Sequence, residues 1–240
     1  MSCDEALLWE KLGNSRRTPL EPEWLGEIYS PSLSVELKQT IAERLGWLAE
    51  RGWPVIQSLI NQFGSEPELI HASGLCHQVE AKDWLIAQLQ GSEALPLDVI
   101  QALACWGAVI PGPLLRNVLT DPSQTMRLAG LELLSFKAHQ LSDEQLLDLT
   151  EELLKDWRDP IALAAIRLLQ RRDGEPICKR LAQIASDAHD AISAAAIRAL
   201  GCIATPESQA ALTKLGDNLP AGLSRELVNK QLNQQYRSLA

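Results

Sequence analysis

The side chains able to act as nucleophile, acid, base or metal ligand are few and scattered. Five cysteines (Cys3, Cys76, Cys105, Cys178 and Cys202) include no CxxC pair, so neither a disulfide framework nor a zinc module is indicated and a reducing compartment fits. Cys178 falls in the first turn of a predicted helix, where the dipole favours a thiolate, but the sequence assigns it no His or Lys partner. The histidines are His71, His77, His139 and His189. His71 and His77 lie six apart, with Cys76 beside His77, and no spacing of three or four puts two ligands on one helical face; no metal site is expected. His77, near a turn between two predicted helices, either donates a proton or holds a carboxylate, or simply faces solvent. A glycine-rich phosphate loop, a Gly-x-Ser-x-Gly elbow and a His-Glu-x-x-His motif are absent.

Charge narrows the partners. The chain holds 22 Lys and Arg against 31 Asp and Glu, a formal charge of -9. Neutralising phosphates needs cations, so no nucleic-acid partner is expected. The charge is also uneven: residues 1–154 carry 10 basic against 22 acidic side chains, and residues 155–240 carry 12 against 9. Such polarity can orient an acidic partner or hold a carboxylate ligand at one end, although charged blocks also serve as solvated faces. Arg158, Arg171, Arg172, Lys179 and Arg180 form a local cluster. Cys76, Cys105 and Cys202 each end a predicted first helix, which suggests a buried structural slot for a small apolar side chain.

Helices must position these groups. With 42 Leu and 28 Ala against 29 Ile, Val and Thr, the composition predicts an all-α protein. Asp159-Pro-Ile-Ala-Leu-Ala-Ala-Ile-Arg-Leu-Leu169 and Asp190-Ala-Ile-Ser-Ala-Ala-Ala-Ile-Arg-Ala-Leu200 are near copies. Each starts on an Asp suited to capping, and each is followed by a short break and a second helix. Anchoring on Leu45, Leu75, Leu103, Leu133, Leu168 and Leu200 gives a period of about thirty residues. The predicted second helices are 53–63, 80–90, 113–119, 143–155, 177–185 and 208–215. Arg167 and Arg198 share one repeat slot, which predicts an arginine ladder paired with carboxylates of adjacent repeats. Such units bury their apolar faces only by stacking, so the expectation is an α-solenoid of about six short helical repeats with polar caps: an N-terminal cap over 1–33, built of one helix and a loop carrying Arg16-Arg17-Thr-Pro; the array over 34–217; and a C-terminal capping helix over 218–240. The 7 Trp beside 2 Phe and 2 Tyr are expected mostly at repeat interfaces. The longest uncharged stretch, 99–115, is broken by Pro111-Gly-Pro and predicts no membrane span. The acidic start, Met1-Ser-Cys-Asp-Glu, does not read as an export signal, so a cytoplasmic location is expected.

The run Ala195-Ala-Ile-Arg-Ala-Leu-Gly-Cys-Ile-Ala-Thr-Pro-Glu207 resembles a short HEAT repeat of the kind found in cyanobacterial phycobilin lyase subunits of the E and F type. That resemblance implies an auxiliary protein that helps attach a linear tetrapyrrole to a phycobiliprotein cysteine, remove it, or chaperone it. It also implies a phycobilin as bound substrate, no cofactor of the protein's own, and partnership with a phycobiliprotein subunit and a second lyase subunit in a heterodimer. A bilin is a long conjugated apolar body with two propionates, so on this reading Trp84 and Trp106 are candidate stacking surfaces and Arg116, Arg171 and Arg172 candidate carboxylate partners. The alternative is a non-catalytic protein-binding adaptor or assembly factor for a pigment complex or metalloprotein. The deoxyhypusine hydroxylases, also HEAT-repeat enzymes, carry iron ligands in His-Glu dipeptides, which this sequence lacks. HEAT-like DNA glycosylases need a basic channel, which its acidity opposes.

Overall fold

A computed structural model describes residues 5–14, 20–90, 95–187 and 189–237. Cys3 and the Arg16–Pro19 segment lie outside the described residues. Every regular element among those described is helical. Two compact units divide the chain, residues 1–110 and 111–240.

The first unit holds α1 (Glu5–Gly13), α2 (Pro22–Ile28), α3 (Val35–Trp47), α4 (Trp53–Phe63), α5 (Pro67–Leu75), α6 (Val79–Gln88) and α7 (Leu97–Trp106). The second holds α8 (Gly112–Thr120), α9 (Gln124–Lys137), α10 (Asp143–Leu154), α11 (Asp159–Leu169), α12 (Glu175–Asp187), α13 (Asp190–Ile203), α14 (Pro206–Asn218) and α15 (Leu223–Arg237). Two helices, not the expected one, therefore lie within residues 1–33. Pro22 opens the second, because its fixed φ and missing N–H suit a first helical position.

Within each unit the helices stack in two layers. First helices pack on first helices, α3 on α5 on α7 and α9 on α11 on α13; second helices pack as α8 on α10 on α12 on α14. The spacing of apolar residues dictates this. Leu37, Ile41 and Leu45 recur every four residues along α3 and are fully buried; Ile177, Leu181 and Ile184 follow at steps of four and three along α12 and are also buried. Burying each such side chain contributes about 1.5–3 kcal/mol. In the first unit, Gly74 lets α5 and α7 touch backbone to backbone. A Cβ there would stand 2.3 Å from the Ala102 carbonyl oxygen.

Helix starts follow local chemistry. Ser142 with Gln145 and Thr205 with Ser208 make reciprocal capping boxes on α10 and α14. Asp159 does not cap. Arg158 and His189 occupy the cap positions, and each Asp enters its helix as the first residue. The Asp159 carboxylate instead reaches His189 Nε2, 3.1 Å away in the next repeat.

Polar pairs one repeat apart stitch the layers. Lys38 meets Glu68 at 2.9 Å, Arg127 meets Asp156 at 2.7 Å, Arg172 meets Asp143 at 2.6 Å, and Arg180 chelates Glu151 with two contacts of 3.1 Å. Their separations of 29 or 30 residues restate the period, since stacking sets residue i beside its counterpart in the next repeat. The predicted Arg167 and Arg198 ladder is not among them. Both side chains are exposed and have no ion-pair partner among the described residues. The slot is a solvent-exposed one on α11 and α13.

Candidate ligand site

The densest grouping of candidate residues forms where α5 turns into α6. α5 ends at Leu75, and the buried Cys76 caps it, its Sγ donating to the Ser73 carbonyl at 3.2 Å. Burial pushes the Cys76 thiol up, so it stays protonated and inert. His77 then adopts a left-handed conformation, φ 51°, that swings the chain into α6. Gln78 is extended and caps α6. From the next repeat Trp106, the last residue of α7, donates its indole N–H to the Gln78 carbonyl at 3.0 Å. Its ring has two polar neighbours. The His77 ring centroid is 6.1 Å away, and Lys82 Nζ stands 5.2 Å from the indole centroid. Lys82 also reaches Asp83 at 3.5 Å. His77 is exposed, while Trp106 and Lys82 are half-buried. The result is an indole with an ammonium and an imidazole close by, suited to a planar ligand with an anionic arm.

Trp84 does not join this face. It stands two residues from Lys82, about 200° around the α6 axis, and packs on Trp53 of α4 with ring centroids 6.4 Å apart. It belongs to the first unit's core, not to a stacking surface shared with Trp106.

The candidate arginines of the second unit have different fates. Arg116 makes an exposed ion pair with Asp148 at 2.8 Å. Arg172 is committed to structure: its Nε and Nη2 grip Asp143 Oδ1 at 3.0 and 2.6 Å, and Nη1 donates to the Ala138 carbonyl at 3.0 Å. That clamp ties the start of α10 to the turn after α11 and occupies the Arg172 guanidinium with structural partners. Arg171 alone of the three is exposed with no ion-pair partner among the described residues.

The remaining candidates divide by burial. Cys178 is buried and its thiol is pushed up by desolvation, which outweighs any dipole assistance to a thiolate. Cys202 is exposed, so the cysteine slot is not a uniformly buried one. Of the tryptophans, Trp53 is buried and Trp24 is half-buried beneath Lys11 Nζ, but Trp47 and Trp157 are 58% and 85% exposed. Trp47 ends α3, and Trp157 lies on the connection between α10 and α11. No cluster of three or more His, Cys, Asp or Glu suited to a metal occurs among the described residues.

Sequence reasoning missed one polar network. Tyr29, 3% exposed, donates to Glu68 Oε1 at 2.8 Å, and Lys38 contacts Glu68 and Glu66 at 2.9 and 3.7 Å. Burial alone would raise the Glu68 carboxyl, but the hydrogen bonds from Lys38 and Tyr29 hold it below its ordinary value. Burial, with the Glu68 carboxylate beside it, pushes the Tyr29 phenol up. The signal was the spacing of Lys38 from Glu66 and Glu68, 28 and 30 residues, one repeat.

Comparison with known proteins adds the following. The chain is similar to the complex of CpcE and CpcF of phycocyanin lyase from Nostoc sp. PCC7120, with 16% identity over 90% of this chain and 95% of that one and a TM-score of 0.49. It is similar to human deoxyhypusine hydroxylase in complex with glycerol, with 18% identity, coverage of 98% and 91%, and a TM-score of 0.40. It is also similar to a designed armadillo repeat protein in complex with the peptide (KR)4, with 19% identity, coverage of 92% and 99%, and a TM-score of 0.40. No curated protein matches the sequence significantly. A family model for HEAT repeats matches residues 146–229, the stretch that contains the two near-identical segments. The stretch from α10 into α15 is thus similar to HEAT repeats.

Proposed function

We propose that the chain is a HEAT-repeat auxiliary protein of the phycobilin lyase kind, which holds a linear tetrapyrrole and a phycobiliprotein for attachment, removal or chaperoning of the chromophore. The observation that carries the reading is the Trp106 corner, where an indole ring has Lys82 Nζ and the His77 ring as neighbours. A bilin's conjugated body would lie on the indole, with a propionate drawn to the ammonium. The HEAT repeats of residues 146–229 and the resemblance of the 195–207 run support the same reading. Thioether formation uses the acceptor's thiolate, so this chain contributes by holding and orienting two reactants; well-oriented intramolecular reactions reach effective molarities of roughly 10⁵ M and above. In this reading the protein has no cofactor of its own, acts in the cytoplasm, and pairs with a second lyase subunit. No helix among the described residues is long and apolar enough to cross a membrane.

Coexpression with phycobiliprotein subunits and a bilin, with and without a second lyase subunit, tests the proposal. Covalent colour that survives denaturation is expected. A bilin titration should also give a spectral shift that is lost in Trp106→Ala. Unchanged colour across a panel of acceptors, with no spectral shift in the wild-type protein, would overturn it.

The second reading, a protein-binding adaptor, is favoured by Trp157, 85% exposed on the connection between α10 and α11. A tryptophan so placed is typical of the aromatic anchors that dominate protein interfaces. Under that reading Trp157→Ala abolishes capture of a protein partner while bilin has no effect on the spectrum.

A further inference from the structure

A second concavity lies wholly within the second unit and is independent of the Trp106 reading. It is a groove of about 560 Å³, walled by Ala194 and Arg198 of α13, Leu219 and Pro220 of the connection to α15, and Leu223 and Leu227 of α15 itself. Its size falls within the range of small-ligand sites, roughly 300–1,000 Å³, and its composition is of the same type: an apolar wall with one strong polar group. Arg198 is the sole charged residue of the lining, and its guanidinium has no ion-pair partner among the described residues. Elsewhere in this unit Arg127, Arg158, Arg172 and Arg180 all grip carboxylates. Leu223 on the rim is 84% exposed, an apolar side chain left in water beside that cation.

We infer that this groove binds a small carboxylate carried on a flexible apolar chain. The guanidinium offers a fork of donors matched to a carboxylate, and the Leu and Pro walls offer apolar area to an alkyl chain. A small alkyl carboxylate fits better than a peptide. Each peptide unit brings an N–H and a C=O that need partners, and the Ser224 hydroxyl is the one further polar side-chain group in the wall.

The test is titration of the intact protein, methyl-labelled at leucine, with sodium octanoate, octylammonium and a peptide ending in leucine, read by NMR and calorimetry. Octanoate should shift the Leu219, Leu223 and Leu227 methyls saturably at one site, and octylammonium should not. Arg198→Gln should weaken octanoate about tenfold or more, the effect of removing a charge-assisted hydrogen bond. Arg167→Gln, in the same slot on α11 and outside the groove, should leave it unchanged. Leu223→Asp, at an exposed position that tolerates polarity, should repel octanoate and favour octylammonium. Absence of octanoate binding, equal binding of the two ions, or undiminished affinity in Arg198→Gln overturns the inference. Tighter binding of the peptide overturns the assignment to a small ligand.

Discussion

Replacing Asp156 by Asn should uncouple two repeats of the second unit. The Asp156 side chain is 1% exposed and accepts four N–H donors. Arg158 gives its backbone N–H and Nε to Oδ1 at 2.9 and 2.8 Å and Nη2 to Oδ2 at 2.8 Å, and Arg127 gives Nη1 to Oδ2 at 2.7 Å. The two guanidinia reach on to the Thr120, Asp121 and Pro122 carbonyls, so one carboxylate fastens the α8–α9 turn to the α10–α11 turn. The hydrogen bonds from Arg158, and the charge of Arg127 behind them, hold the carboxyl at about 2, down from 3.8. A carboxyl lowered by folding stabilises above its unfolded pKa and ceases to do so as pH falls through its folded one. The shift corresponds to about 2.5 kcal/mol at pH 7, and about half of that remains at pH 3. An amide in this place keeps one acceptor and turns an NH₂ toward a guanidinium. Urea unfolding followed by tryptophan fluorescence should therefore show Asp156→Asn less stable by about 2–3 kcal/mol at pH 7. The gap should narrow to about half by pH 3. A difference under 0.5 kcal/mol at pH 7, or one that stays constant from pH 7 to 3, would refute the reasoning.

Three further outcomes are expected. Gly74→Ala should drive α5 from α7, because its Cβ would meet the Ala102 carbonyl at 2.3 Å; a loss of about 1–3 kcal/mol, seen as a fall of several degrees in the melting of the first unit, is the check. Arg172→Ala should cost about 1–3 kcal/mol in denaturant titration by opening the clamp on Asp143 and Ala138, whereas Arg171→Ala, one residue away and exposed, should stay within about 0.5 kcal/mol of wild type. In native protein at pH 8, iodoacetamide should label the exposed Cys202 rapidly, and Cys76 and Cys178 only as the chain unfolds, as peptide mapping by mass spectrometry would report.

The helices were legible because their determinants are local. Pro at a first turn, Ser142 or Thr205 at a cap, and Leu37, Ile41 and Leu45 on one stripe all act within a few residues. The second helix of the first pair is predicted at 53–63 and runs Trp53–Phe63. The pairing of charges was not legible, although the same period encodes it. Arg167 and Arg198 are the basic residues that repeat most visibly, yet both are exposed and without an ion-pair partner among the described residues. The arginines that do pair, Arg127, Arg172 and Arg180, find acids 29 residues away in the neighbouring repeat. The same geometry separates the two favoured tryptophans. Trp84 and Lys82 are neighbours in sequence, but a helix sends residues two apart to opposite sides, so Lys82 faces Trp106 while Trp84 faces the core. In a stacked repeat protein, then, a residue that recurs at the period points to the fold, and a ligand site is better sought where a residue breaks the pattern of its neighbours. Trp106 does so by facing His77 and Lys82, and Arg198, although it shares its slot with Arg167, differs from it by lining an apolar groove unpaired among the described residues.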